Sequence, residues 1–329
     1  MVYKIAFCVC LLLTVLESPA QKKNRPLAII FDSDMGPDYD DVGAITLLHA
    51  FADSGYVKIL ATVASTKYEG VAAVFSVFNT YFQRPDVPIG VPKGKALELK
   101  DWQHWTDTLR ARYPHNIDKN NEVDDATEVY RRVLASQPDK SVTIVTTGFV
   151  TNVSNLLQSG PDKYSKLDGK ELVKHKVKQL VCMAGRFPSG SEFNVNRDVP
   201  ASQNVFNNWN TPVLLSGFEI GQQIKTGLPL VNNETIKNSP VKDVFRISIP
   251  LSKEDSAGRM SWDETAVLVA IKGYKPWYII QKGKMVVAKD GSNTWVTKPS
   301  RHERLVEKQP PSVVQQLLNR LIMHQPVRK

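Results

Sequence analysis

The stretch IIFDSDMGPDYDDVGAITLLHA, Ile29 to Ala50, runs from apolar residues into five aspartates within ten positions, then out into a second apolar segment. A short apolar run closed by Gly36-Pro37 and followed by helically spaced apolar residues reads as a buried strand, a loop and a helix. The same alternation recurs downstream. Residues 27–31, 57–65, 141–147, 177–185 and 211–217 read as strands, and 41–52, 70–83, 124–136, 151–159 and 200–209 as helices. Strand and helix alternating in this way predict a mostly parallel central sheet flanked by helices on both faces, a Rossmann-like α/β fold. Ligands of such sheets bind at the carboxyl ends of the strands. The aspartate cluster, TTGFVTN (146–152) and GRFPSGSEFN (185–194) would therefore share one rim.

Beyond residue 230 the pattern changes. A helix is expected over 263–273. WYIIQKGKMVV (277–287) and TWVTK (294–298) read as antiparallel strands with turns at Lys282-Gly283 and Asp290-Gly291. A last helix over 311–323 carries Val313, Val314, Leu317, Leu318, Leu321 and Ile322 on one stripe. With no repeat and no flexible linker, residues 21–329 are expected to form one domain ending in this hairpin and helix.

Residues 1–20 differ from the rest. Lys4 precedes the apolar run Ile5–Leu16, and small residues stand at Ser18 and Ala20, the layout of a secretory signal cleaved after Ala20. As a membrane anchor the run falls short of the roughly 20 residues that span a bilayer. The expectation is a soluble, secreted protein with no membrane partner. Of the three cysteines, Cys8 and Cys10 lie inside that segment, and Cys182 reads as a small buried hydrophobe. Asn233-Glu-Thr is a candidate glycan site, whereas the sequon at Asn152 is expected to be buried. The net charge of +9 is spread along the 329 residues with no basic block interleaved with aromatics, so a solvated basic surface is read rather than nucleic-acid recognition.

Asp32, Asp34, Asp38, Asp40 and Asp41 cannot all ionise at close range without a compensating cation. One or two could cap a helix, but five exceed that role. Carboxylates on a loop suit Ca²⁺ or Mg²⁺; zinc would call for His or Cys, and neither occurs in the cluster.

The pattern D-x-D-x-G…D-D at Asp32, Asp34, Gly36, Asp40 and Asp41 resembles the signature of the nucleoside hydrolases, the calcium-dependent inosine/uridine-preferring nucleosidases. TTGFVTN resembles that family's T-G-x-x-T-N loop, Glu192-Phe193-Asn194 its E-F-N element, and WDETAVL (262–268) its late metal-binding aspartate. The resemblance implies one Ca²⁺ on Asp34, Asp41, the carbonyl of Thr147 and Asp263, with Asp34 taking a proton from a water that attacks the anomeric carbon of a nucleoside. It further implies that Asp40 meets the ribose 2-hydroxyl, that Glu192 and Asn194 hold the other hydroxyls, and that Asp32 stands behind the metal ligands. Homodimers and homotetramers occur in that family. A ring of carboxylates suits the cationic transition state of N-glycosidic cleavage. Asn152 reads as a helix cap or brace.

The chain departs from the pattern at several places. Its acidic loop is two residues longer, with Asp38-Tyr39 inserted, and Asp38 reads either as an added contact or as a solvated carboxylate. Trp262 stands where many members carry the histidine credited with protonating the leaving base; indole offers a stacking face but no usable proton. Thr66 stands near an expected asparagine. The segment 93–123 is read as a possible cover of the pocket, with His104 or His115 as an acid or merely exposed, and Trp102, Trp105 and Tyr113 as base-stacking or packing groups. Two rivals follow. One is a secreted binder of nucleosides or ribose without turnover; the other is a phosphatase of the haloacid dehalogenase type, whose nucleophile loop FDSDMG also resembles.

Overall fold

The computed structural model describes residues 25–327. The expected signal segment, with Cys8 and Cys10, lies outside them. Thirteen strands occur among the described residues: β1 (Leu27–Ser33), β2 (Val57–Ala64), β3 (Ile89–Val91), β4 (Asp124–Asp125), β5 (Val142–Thr146), β6 (Val177–Met183), β7 (Ser189–Ser191), β8 (Val213–Ser216), β9 (Lys225–Thr226), β10 (Arg259–Met260), β11 (Tyr278–Val287), β12 (Ser292–Val296) and β13 (His302–Glu307). Eleven of them build one sheet in the order β4-β3-β2-β1-β5-β6-β8-β13-β11-β12-β7, and β9 pairs with β10 apart from it. Every pairing from β4 across to β13 is parallel, and β11, β12 and β7 close the sheet as antiparallel strands.

The strand order reverses direction between β1 and β5, and loops leaving those neighbours diverge to open a crevice at their carboxyl ends. Apolar side chains fill both faces of the sheet. One layer packs Ile45, Leu48, Phe75, Phe78, Leu268 and Leu318 from the helices Asp40–Asp53, Val71–Tyr81, Trp262–Lys272 and Pro311–Ile322. The other packs Tyr130, Val153, Leu172 and Val205 from the helices Ala126–Ala135, Thr151–Gln158, Gly169–Lys176 and Val199–Asn208. Strands covered on both faces are the near-continuous apolar runs seen in the sequence.

The helix Asp40–Asp53 is buried on all sides from Asp40 to Phe51. Its close neighbour is the helix Trp262–Lys272, and Gly43 permits the approach: a Cβ there would stand 2.2 Å from the buried Glu264 carboxylate. That contact sets Asp40 and Asp41 beside Asp263.

Two expectations need correction. Lys282-Gly283 is not a turn, because β11 runs through it and Gly283 leaves the room that the Trp295 indole fills, 2.5 Å from where a Cβ would sit. The turn at Asp290-Gly291 forms as read, with Gly291 at φ +82°. The segment HERLVE, which lacks a strand's apolar pattern, forms β13 between β8 and β11, with only His302 and Leu305 of its side chains buried. On the last helix Val314, Leu318 and Ile322 are buried while Val313 is exposed. No helix among the described residues is long and apolar enough to cross a membrane.

Replacing Gly43 with alanine should push Glu264 and its helix away and destabilise the fold by about 1–3 kcal/mol, the usual cost of overpacking, read as a lower urea midpoint at an unchanged slope.

Candidate active site

A cleft of about 310 Å³ opens at the carboxyl ends of β1, β5 and β6, lined by Asp34, Asp38, Asp40, Thr147, Glu192, Asn194, Arg259, Trp262 and Asp263, with Met183, Phe193, Phe218, Glu254 and Met260 among its walls. Asp34, Asp40, Thr147, Glu192, Asn194, Trp262 and Asp263 thus meet in one place. Asp41 stands just behind, fully buried.

Asp34 directly follows β1. Its loop is held by Tyr68, whose hydroxyl donates to the Met35 carbonyl at 2.7 Å and whose ring occupies the space beside Gly36. From the β5 side Gly148 closes in, leaving room for no Cβ: one would stand 2.4 Å from the Asp34 backbone nitrogen. Asp41 accepts hydrogen bonds on Oδ1 from Ser33 (2.5 Å) and Thr147 (2.9 Å), while its buried Oδ2 has no partner. Burial, together with the charges of Asp41 and Asp38, holds the Asp34 carboxyl well above the ordinary carboxylate range. Burial and the charge of Asp40 push Asp41 up to about 7. Asp263 is raised by burial and by Asp40, Asp41 and Asp34 in turn.

The Glu192 carboxylate caps the short helix Phe193–Arg197, accepting from the backbone N–H groups of Asn194 (2.7 Å), Gly185 (3.0 Å) and Val195 (3.1 Å). Burial nevertheless pushes it up to about 7. Asn194 donates to the Thr147 carbonyl at 2.9 Å, tying the β5 and β6 loops together. The Trp262 indole N–H donates to the Phe218 carbonyl at 2.7 Å, and the two rings lie 5.0 Å apart at 32°, an aromatic wall on one side of the cleft.

Asp40 is placed otherwise than a free sugar-binding carboxylate. Its Oδ1 accepts from Arg259 Nε (3.0 Å) and Nη2 (2.7 Å), and its Oδ2 from the backbone N–H groups of Trp262 and Asp263, both at 3.2 Å. Asp38 also pairs with Arg259 at 2.6 Å, its side chain 43% exposed at the mouth of the cleft. Arg259 is the functional residue that sequence reasoning passed over. The acidic loop demanded positive charge, and the isolated Arg in AGRMSWDE, three residues before Trp262, was the one available signal.

The Asp32 carboxylate does not stand behind Asp34 and Asp41, where the resemblance placed it. It accepts from Tyr130 (2.8 Å) and from Asn152 (3.2 Å) on the opposite face of the sheet, is pushed up to about 7 by burial, and touches neither Asp34 nor Asp41. Only the backbone carbonyl of Asp32 serves the site, accepting from the Thr147 N–H at 2.8 Å. Asn152 is buried and braces Asp32 to the Ala64 carbonyl, a structural role. The segment 93–123 supplies no lining residue. It packs on the helices Val71–Tyr81 and Pro240–Ser248, with Trp105 buried in the core, Trp102 exposed and Tyr113 donating to Asp243 at 2.7 Å. His104 is exposed, and His115 bonds to the Tyr113 carbonyl. Thr66 latches the same segment by donating to the Leu97 carbonyl. The buried Cys182 thiol, pushed up to about 12, is no nucleophile.

Among the described residues no three Asp, Glu, His or Cys side chains converge tightly enough to enclose an ion. The donor chemistry nevertheless fits a hard cation. Asp34, Asp41 and Asp263 are all buried and raised, Asp263 by burial and by the charges of Asp40, Asp41 and Asp34; one oxygen of Asp41 is orphaned, and the Thr147 carbonyl stands alongside.

Residues 29–316 match the model of a family described as inosine-uridine preferring nucleoside hydrolase. The pyrimidine-specific ribonucleoside hydrolase RihA of Salmonella agona is 28% identical over 205 residues, which cover 59% of this chain and 61% of that protein. The RihA of Salmonella typhi is 27% identical over the same shares. The match therefore spans under two thirds of these relatives' length. Among solved structures, the plant nucleoside hydrolase PpNRh1 superposes with a TM-score of 0.68 at 19% identity, covering 91% of this chain and 99% of that one. A purine-preferring ribonucleoside hydrolase from Gardnerella vaginalis gives 0.67 at 16% identity, covering 90% and 98%.

Asp32, Asp41 and Glu192 hold protons up to about pH 7 in the folded chain, against ordinary values of 3.8, 3.8 and 4.5. The unfolded chain binds fewer protons over that window, so these groups lower stability as the pH rises from about 4 to 7. Of the three, Asp41 is the one whose proton a divalent cation in the cleft would replace. Calcium should raise the melting temperature over a chelator control more at pH 8 than at pH 5; an equal gain at both would contradict this.

Proposed function

Because the chain belongs to the inosine-uridine preferring nucleoside hydrolase family, we propose that it hydrolyses the N-glycosidic bond of ribonucleosides to ribose and free base, with calcium as its cofactor. The observation that carries this reading is the ring of buried carboxylates around a cleft of nucleoside-binding size. Such a ring favours a sugar bearing positive charge and repels a phosphate ester, which counts against the phosphatase reading.

Asp34, Asp41, Asp263 and the Thr147 carbonyl would hold the ion, whose contribution is to lower the pKa of a water. The Asp34 carboxyl, raised by burial and by its acidic neighbours, is suited to take the proton from that water. Asn194, whose amide N–H is engaged with Thr147, keeps its carbonyl oxygen to accept from a sugar hydroxyl, beside the Glu192 carboxylate. Phe218 and Trp262 offer the base an apolar wall, and since the indole N–H is committed to Phe218, Trp262 serves by stacking and not by proton donation.

No histidine lines the cleft among the described residues. That observation favours the second reading, a protein that binds nucleosides without turnover. Uridine, inosine, adenosine and p-nitrophenyl phosphate, incubated with and without a chelator and assayed for reducing sugar and phosphate, separate the readings; both base classes are included because the relatives' names cover both. Ribose release should fall by about 10³-fold or more on chelation and in Asp34→Ala, the scale of losing a general base. Tight binding with no ribose release would establish the binder, and phosphate release would contradict both.

A further inference from the structure

The Arg259 guanidinium is fixed from every side. It grips Asp40 through two nitrogens (3.0 and 2.7 Å), pairs with Asp38 at 2.6 Å, and stands 4.8 Å from the Tyr39 ring centre and 5.1 Å from that of Trp262. Tyr39 in turn donates to Asp255, whose carboxylate stands 3.7 Å from the same guanidinium. The backbone of Arg259 is held in β10, paired with Thr226 of β9.

A carboxylate has about four lone-pair sites, and Asp40 has all four filled: two by Arg259, two by the N–H groups that open the helix Trp262–Lys272. Asp40 neighbours Asp41 in sequence, and one of its backbone partners is Asp263. The Asp40 carboxylate therefore joins the residue beside Asp41 to the backbone of Asp263.

We propose that Arg259 is a positioning residue: by holding Asp40 it clamps the acidic loop to the start of the helix Trp262–Lys272, aligning Asp41 with Asp263, and the Asp40 carboxylate serves this clamp instead of a sugar hydroxyl. The inference rests on the reading of the cleft as a metal-dependent nucleosidase site, and deepens it. A lysine could restore the charge but not the two-point grip of a guanidinium.

The test uses the full chain and its Arg259→Gln, Arg259→Lys, Asp40→Asn and double variants, each checked for native circular dichroism. Terbium, standing in for calcium, is followed by luminescence sensitised through Trp262, with calcium as competitor; binding constants for uridine and 2′-deoxyuridine are measured alongside. Arg259→Gln and Asp40→Asn should each weaken terbium binding about 10-fold or more, the double variant should be no worse than the weaker single one, and Arg259→Lys should recover only part. The preference for uridine over 2′-deoxyuridine should change by less than about threefold in every variant, because the lost contact is not with the sugar. Terbium binding unchanged in Arg259→Gln, or absent from the wild type, would overturn the clamp. So would a uridine preference that collapses in Asp40→Asn alone. Failure of the wild type to release any base, with terbium binding behaving as stated, would sink the nucleosidase reading and leave the clamp standing.

Discussion

Everything at the carboxyl end of this sheet answers to one electrostatic constraint: carboxylates buried together without enough positive charge. Asp34, Asp38, Asp40, Glu192, Glu254 and Asp263 line the cleft, with Asp41 and Glu264 buried behind it, and Arg259 is the one cation lining it among the described residues. Each buried carboxyl resists ionisation first because burial strips its charge of water, and then because its neighbours would ionise too. The arrangement persists because hydrogen bonds and one guanidinium relieve part of the repulsion. What they leave unrelieved is what a hard cation and a cationic sugar can use.

The fold delivers that crowding through close backbone approaches. The reversal of strand order between β1 and β5 opens the crevice, and Gly148 and Gly43 let the β5 loop and the helix Trp262–Lys272 press against the acidic loop where a larger residue would hold them apart. The positive end of that helix, at the N–H groups of Trp262 and Asp263, faces Asp40. Within the cluster the aspartates then divide. Asp34 and Asp41 face the space between β1 and β5, Asp38 and Asp40 face Arg259, and Asp32 turns to the other side of the sheet.

The parallel strands and their helices were legible because strands covered on both faces must be continuously apolar, and helices between them must be amphipathic. The rim of the cleft was legible because the acidic loop, TTGFVTN and GRFPSGSEFN each follow a strand, whereas Asp34, Asp41, Thr147, Glu192, Asn194 and Asp263 were singled out by resemblance to the nucleoside hydrolases. What was not legible depends on long-range pairing. Asp38 and Asp40 find Arg259 some 220 residues downstream in separations of 221 and 219, and nothing in local spacing announces it. Asp32 shares a two-residue spacing with Asp34, yet only the former ends inside the strand, so its side chain follows the pleat to Tyr130 and Asn152. β13 was not legible because HERLVE has no run or alternation of apolar residues: its two buried side chains are His302 and Leu305, three positions apart. Trp102 and Tyr113 drew attention as aromatic groups, although only tertiary packing decides whether such rings meet a cleft or a neighbouring helix.

The central claim is that these carboxylates are a cation site at the switch point of the sheet. Anomalous scattering from crystals soaked in terbium locates the ion directly. The account predicts a single strong peak among Asp34, Asp41, Asp263 and the Thr147 carbonyl, with Asp40 still joined to Arg259; a peak elsewhere on the surface with none in the cleft, at saturating terbium, would contradict it.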